Sequence, residues 1–220
     1  MLKPPIIIND FEQRSDEWFE IHRGRLSGTS MKVLMNGSPD AKNKLLDKMR
    51  AQIADPTIPM GGGMASSPSL NWGVENEPEA IAQYELRYDC DVDQPAFVIH
   101  GDIDFIGCSP DFIHGRVAGE VKCPYDENNH HLNVIIGTQI EQYKPQLMCE
   151  LLVTDCERIR FISYDPRYKD IKNRFHLREI PRDEEYIHDM EIRAIEFKRL
   201  LDSGEYYECL SNFNEIPQLF

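Results

Sequence analysis

The stretch Ile103-Asp-Phe-Ile-Gly-Cys-Ser-Pro-Asp111-Phe-Ile-His-Gly-Arg116-Val-Ala-Gly-Glu120-Val-Lys122 decides how this chain is read. Ile103–Gly107 and Arg116–Lys122 read as strands. Ser109-Pro110-Asp111 follows the first strand, and Glu120-Val121-Lys122 closes the second. Side chains alternate across a strand, so Glu120 and Lys122 share one face while Val121 turns into the core. With residues 103–111 and 116–122 as neighbours in a hairpin, Asp111 comes close to Glu120. Two carboxylates and a lysine then meet at one end. Carboxylates held that close repel unless a proton or cation sits between them. Hard oxygen ligands suit Mg²⁺, which prefers one or two protein carboxylates plus water and phosphate. A lysine beside them can stabilise a developing oxyanion or orient and help deprotonate a water. The set fits metal-assisted phosphodiester hydrolysis. A bare Glu-x-Lys is common on surface hairpins; the Pro-Asp on a neighbouring strand gives it weight.

Working outward, Asn71–Tyr88 reads as a helix whose residues Glu77, Ile81, Tyr84 and Tyr88 share a face. Pro78 sits awkwardly inside it. Glu77 thus points inward as a third carboxylate that orients water, kept ionised by a nearby helix N-terminus. Residues 15–22 form a short helix capped by Ser15, burying Trp18, Phe19 and Ile21. Ser27 or Thr29 caps a second helix that ends at Asn36-Gly37, and Lys42–Ile53 is a third. Met60–Ser69 is a loop, Ala96–His100 a strand, and Thr138–Val153 a helix kinked by Pro145. Strands at Arg158–Tyr164 and Phe175–Ile180 precede a helix at Asp183–Leu201. This order implies a mixed central sheet flanked by helices, α/β or α+β. It reads as a single domain over residues 1–220, with an N-terminal helical part (1–70), a catalytic core (71–180) and a C-terminal helix (181–220).

The 220 residues are 41% hydrophobic and 10% aromatic, enough for a globular core. No apolar run approaches the roughly 18 residues of a membrane span. Three consecutive isoleucines near the N-terminus fall short of a signal-peptide core of about 7–15 residues. A cytosolic chain is expected. Cys90, Cys108, Cys123, Cys149, Cys156 and Cys209 show no zinc spacing and read as buried thiols. The net charge of −14 argues, on its face, against nucleic acid. Its distribution argues otherwise. Residues 71–111 hold ten acidic residues against one basic, while 1–50 and 151–180 each come to +2. That acidic block contains Glu77 and Asp111, so it can be a cation site as well as a solvated face.

Several motifs in one order resemble the lambda exonuclease (YqaJ-type viral recombinase) family of PD-(D/E)xK nucleases, from about Gln13 to Tyr168. Trp18 followed by Arg23-Gly24-Arg25-Leu26-Ser27-Gly28-Thr29 is similar to its N-terminal motif, and Trp72-Gly73 with Glu77 to its helical glutamate. Cys108-Ser109-Pro110-Asp111 and Glu120-Val121-Lys122-Cys123-Pro124 resemble its metal-binding core. Tyr143 with Gln146, and Tyr164-Asp165-Pro166-Arg167, resemble its distal elements. The resemblance implies a restriction-endonuclease-like core and a Mg²⁺-dependent 5′→3′ exonuclease. Such an enzyme digests one strand of linear double-stranded DNA and leaves 3′ overhangs for phage-type recombination by strand annealing. Asp111, Glu120 and the Val121 carbonyl would hold two Mg²⁺ per active site, with Mn²⁺ as a substitute. Lys122 and Glu77 would position or activate water. Ser109 and Thr29, with a nearby arginine, would hold the 5′-phosphate, and Gln146 would lie beside the metal site.

The resemblance also implies a homotrimeric ring around DNA ends, a single-strand annealing protein as partner and no membrane. The setting would be the cytoplasm of a bacterial host, with the gene carried by a phage or prophage. Two departures stand out. The family's phosphate-binding arginine falls four residues after the tryptophan, where this chain has His22, leaving Arg23 or Arg25 for that role. The family also has an acidic residue upstream of Pro-Asp, for which Asp102 and Asp104 compete, with Asp102 favoured. An endonuclease on the same core, or a catalytically silent DNA- or protein-binding module, are the alternatives. Intact Asp111, Glu120 and Lys122 speak against silence. His130-His131 read as loop residues, since adjacent side chains diverge. Arg158, Arg160, Arg167 and Arg174 could line a DNA path through phosphate contacts, as could Lys44, Lys48 and Arg50.

Overall fold

A computed structural model of the chain describes residues 3–60, 67–131 and 140–208. Two sheets form the frame. In the first, β1 (Ile6–Ile8), β2 (Phe97–Ile99) and β3 (Gly107–Cys108) pair antiparallel in that order. In the second, β4 (Phe112–His114), β5 (Val117–Lys122), β6 (Arg158–Tyr164) and β7 (Phe175–Pro181) are neighbours in sequence order. β5 and β6 are parallel and the other pairs antiparallel. The mixed sheet flanked by helices read from the sequence is therefore present.

The helices are α1 (Asp16–Ile21), α2 (Gly28–Asn36), α3 (Pro39–Ala54), α4 (Pro68–Tyr88), α5 (Glu127–His131), α6 (Lys144–Thr154) and α7 (Glu184–Ser203). Side-chain caps set four of their starts. Ser15, Ser38, Ser67 and Asp183 each accept a bond from the backbone N–H three residues on. Ser38-Pro39 and Ser67-Pro68 pair a cap with a proline in the first turn, where its missing N–H is harmless. For that reason α3 and α4 each begin three residues earlier than their apolar periodicity indicates. Pro145 likewise opens α6 and does not kink it; a 3₁₀ turn at Ile140–Tyr143 leads in. Thr138 and Gln139 lie outside the described residues, as do Cys209 and most of the Met60–Ser69 loop.

The hairpin is the main revision among the strands. Ile103–Ile106 is a turn between β2 and β3, and the expected strand there shrinks to Gly107–Cys108. The partner of β5 is β4, joined to it through Gly115, whose φ of +62° suits the residue without a Cβ. The N-terminal isoleucines form β1, a strand their number alone does not reveal. His130 is not in a loop but buried in α5. Its Nδ1 lies 2.9 Å from Ser163 Oγ and its Nε2 lies 2.9 Å from the Asn173 carbonyl. Since a carbonyl only accepts, Nε2 carries a proton and donates to it.

Alternation along β5 and β6 divides the core. Ala118, Ile159 and Phe161 face the larger cluster with residues of α2, α3, α6 and α7. Val121, Ile162 and Tyr164 face Ala80, Ile81 and Tyr84 of α4. α6 is buried on nearly every side, as a helix sandwiched between layers must be.

Candidate active site

The β4–β5 register continues one step past β4. Asp111 N–H donates to the Gly119 carbonyl at 3.1 Å, and Val121 N–H donates to Asp111 Oδ2 at 2.6 Å. Asp111 therefore stands opposite Glu120, as the hairpin argument requires, though through β4 and not through 103–107. Glu120 and Lys122 share the face toward α6 and form an ion pair. Lys122 Nζ also sits 5.3 Å from the centroid of the Tyr143 ring. Gln146, in the first turn of α6, donates Nε2 to Glu120 Oε1 at 2.7 Å and to Glu150 Oε1 at 3.0 Å.

Three carboxyls thus crowd one lysine. Burial pushes the Asp111 carboxyl well above its ordinary value, and Glu120 and Glu77 push it further. Burial and then Glu120 do the same to Glu150. Burial alone would lower the Lys122 ammonium, but Glu120 and Asp111 outweigh it and hold the lysine above its ordinary value. Glu120 is only 1% exposed, and its Oε2 has no hydrogen-bond partner among the described residues. A buried carboxylate oxygen left bare is costly unless a cation takes it, so the residues present fit a divalent metal. Among the described residues no three of His, Cys, Asp and Glu converge tightly enough to hold an ion unaided. Mg²⁺ needs fewer, because it keeps several waters.

Glu77 lies near Asp111 and pairs with Arg14 at 3.3 Å. α4 starts at Pro68, so Glu77 is well past its first turn, where the helix dipole has faded. Arg14 supplies the positive charge that the sequence reading assigned to the helix end.

The phosphate-binding candidates separate. Arg23 is committed to structure: it pairs with Glu20 and donates to the carbonyls of Gln52, Pro56 and Ile58, clamping the end of α3. Arg25 donates to the carbonyls of Ile21 and Asp104 and still lines a cavity of about 550 Å³ with His22, Thr29, Lys44 and Lys48. The His22 ring packs edge-on between Trp18 and Phe97, at 4.3 and 4.7 Å. Burial lowers its basicity, so it is a poor cation for a phosphate. Ser109 donates to the Ala96 carbonyl and accepts from Trp18 Nε1, which anchors the indole. Asp102 does not join the cluster. It is exposed at the β2–β3 turn, accepting from the Lys3 N–H, while Asp111 follows the other end of β3. Asp104 is exposed in the same turn.

The proposed DNA-path arginines are also engaged. Arg160 pairs with Glu179 and stacks on Tyr88, and Arg167 grips Asp165 and the carbonyls of Pro124 and Tyr125. Arg174 donates to the Tyr168 carbonyl, and Arg50 to carbonyls at the end of α7.

Three residues of the site escape sequence reasoning. Glu150 follows Gln146 by one helical turn, a spacing that puts both on one face, but a lone glutamate in an apolar helix gives no other signal. Arg14 holds a left-handed φ of +70°, uncommon for a residue with a side chain. The preceding Gln13 ties this turn to the carbonyls of Pro95 and Pro110, just before Asp111. Gly28 is the third. A Cβ there would come within 2.8 Å of Gln146 Cγ, so the start of α2 presses on the residue that bridges the two glutamates. Gly28→Ala is expected to shift Gln146 and lower turnover about tenfold or more. The melting temperature should move by only a few degrees, because alanine favours the helix. Turnover kinetics beside a thermal melt check both parts.

The fold has solved counterparts. It is similar to that of an alkaline exonuclease, LHK-Exo, from Laribacter hongkongensis, with a TM-score of 0.76 at 22% identity over 86% of this chain and 94% of that one. A complex of LHK-Exo with dAMP gives the same TM-score at 23% identity and the same coverage. A phage-related exonuclease from Haemophilus somnus 129PT gives 0.58 at 14% identity, over 88% and 94%. None of the curated protein sequences compared matches the chain. No helix among the described residues is long and apolar enough to cross a membrane. The model of the YqaJ-like viral recombinase domain matches residues 17–157, a span that runs from α1 past α6 and takes in Glu77, Asp111, Glu120, Lys122, Gln146 and Glu150. The chain belongs to that family.

Proposed function

We propose that this protein is a Mg²⁺-dependent exonuclease that removes nucleotides from the 5′-ended strand of linear duplex DNA. The 3′ overhangs it leaves would serve recombination by strand annealing. One observation carries the reading: Asp111 and Glu120 face each other across a hairpin end, with Lys122 beside them and one Glu120 oxygen unpartnered. Asp111, Glu120 and the Val121 carbonyl would hold the metals, two per site. Bound there, they would supply Lewis-acid chemistry at the scissile phosphate. Lys122 orients the attacking water and offsets charge on the phosphate. Glu77, braced by Arg14, holds the water from the α4 side. Tyr143 packs over the lysine and limits its reach. The whole chain acts as one nuclease domain, in the cytoplasm of a phage-infected or prophage-bearing cell. It assembles as a trimeric ring whose subunits encircle the duplex, and a single-strand annealing protein receives the product.

The test is digestion of end-labelled linear duplexes with Mg²⁺, with and without a 5′-phosphate. Release of mononucleotides from 5′ ends, with closed circles spared, supports the reading. Cutting of closed circles would establish an endonuclease, and binding without hydrolysis a silent module. The same assay separates the arginines. Arg25→Ala should slow the phosphorylated substrate about tenfold more than the 5′-hydroxyl one, through loss of a charge-assisted contact. Arg23→Ala should lower the melting temperature and leave the ratio unchanged. The opposite pattern would hand the phosphate to Arg23.

A further inference from the structure

α6 is the most enclosed helix of the larger core, yet Glu150 lies within it, 2% exposed. The Lys122 ammonium feels its charge but forms its ion pair with Glu120. The partners of Glu150 are the Gln146 amide, one turn earlier on the same helix, and the Glu120 carboxyl itself, which lies within hydrogen-bond reach. An amide nitrogen carries two hydrogens, and here both are used, one on Glu150 Oε1 and one on Glu120 Oε1. Lys122 reaches the same Glu120 oxygen from the other side. Lys122 and Gln146 thereby both hold Glu120 by Oε1, and its Oε2 has no hydrogen-bond partner among the described residues. Gly28 closes the side of Gln146 that faces α2, leaving little room for the glutamine to swing away.

We propose that Glu150 is a positioning residue that aims the Gln146 amide at Glu120 Oε1 and so fixes which Glu120 oxygen faces the cation. The proposal rests on the metal-nuclease reading above. Remove Glu150, and one amide hydrogen loses its acceptor in a buried setting. Gln146 then turns to find another partner and releases Glu120. Glu150→Gln keeps a carbonyl oxygen in the same place and preserves the bridge.

Mn²⁺ titration of the DNA-free protein by calorimetry is the test, with steady-state kinetics on linear duplex alongside. Glu150→Ala and Gln146→Ala should each weaken Mn²⁺ binding about 10- to 100-fold, the usual effect of losing an outer partner of a metal ligand. Each should lower kcat while leaving KM for DNA unchanged. Glu150→Gln should stay within about threefold of the parent protein, and the double variant should bind no worse than Gln146→Ala alone. A lower melting temperature in Glu150→Ala with unchanged Mn²⁺ affinity and kcat would make the residue merely structural and overturn the proposal. Additive losses in the double variant would do the same. Should Glu150→Ala not fold, Gln146→Ala carries the decision at a partly buried position, and unchanged Mn²⁺ affinity there overturns it. A parent protein that neither binds Mn²⁺ nor cuts DNA would instead fail the nuclease reading itself, and this proposal with it.

Discussion

Glu120→Gln is expected to lower Mg²⁺-dependent hydrolysis by at least about 10³-fold, a loss of about 4 kcal/mol of transition-state stabilisation, in a protein that remains folded. The substitution is chosen for what it keeps. A glutamine carbonyl at Oε1 still accepts from Gln146 and Lys122, so α6 and β5 stay in register. It loses the negative charge and places an NH₂ where the bare, buried Oε2 stood, and a donor cannot ligate a cation. Alanine would be harsher and harder to interpret, because it strips Lys122 of its ion pair and leaves two donors unmet. Turnover of an end-labelled duplex, read beside a thermal melt, separates the effects. Activity within about tenfold of the parent protein would remove Glu120 from the metal ligands.

Sequence reasoning reached the centre of this site by strand geometry alone. Glu120 and Lys122 had to share a face, and Val121 had to turn to the other; both follow from a period of two. The partner strand was less legible, because β4 is only three residues long and β3 only two, too short for alternation to register. Helix starts were recoverable in principle. Ser38-Pro39 and Ser67-Pro68 are cap signals, whereas the apolar periodicity begins a turn later, once each helix meets the core. What sequence could not supply is which polar groups are already satisfied. Arg23 and Arg25 stand two residues apart in one motif, yet only the fold reveals that Arg23 is consumed by carbonyls at the end of α3. Glu150 was illegible for a related reason: its meaning comes from Glu120, thirty positions away and on another element. The net charge misleads in the same fashion, since the acidic block of residues 71–111 contributes Glu77 and Asp111 to the site itself.

Asp111→Asn is expected to stabilise the metal-free protein at neutral pH while removing its response to metal. An unfolded aspartate titrates near 3.9, and burial together with Glu120 and Glu77 raises the folded value well above the ordinary one. Between the two values the folded chain holds a proton that the unfolded chain has released. Stability therefore falls as pH rises through that window and stays reduced above it. Glu150, also raised, adds to the same slope. Lys122 does not oppose it at neutral pH: its folded value is raised, so its contribution is complete there and fades only in strong alkali. Asparagine keeps an oxygen for the Val121 N–H and removes the charge. Each unit of the aspartate's upward shift is worth about 1.4 kcal/mol, or roughly 3–6 °C of melting temperature in a chain of this size. The variant should melt higher than the parent protein at pH 7.5 without metal, and the gap should close toward pH 4. Saturating Mn²⁺ should reverse the order. It raises the parent protein's melting temperature by mass action, more so at higher pH because protons compete for the carboxylates, and leaves the variant unmoved. A variant less stable than its parent at pH 7.5 without metal would mean that Lys122 and the Val121 N–H already compensate Asp111, and that the hairpin end is not poised for a cation.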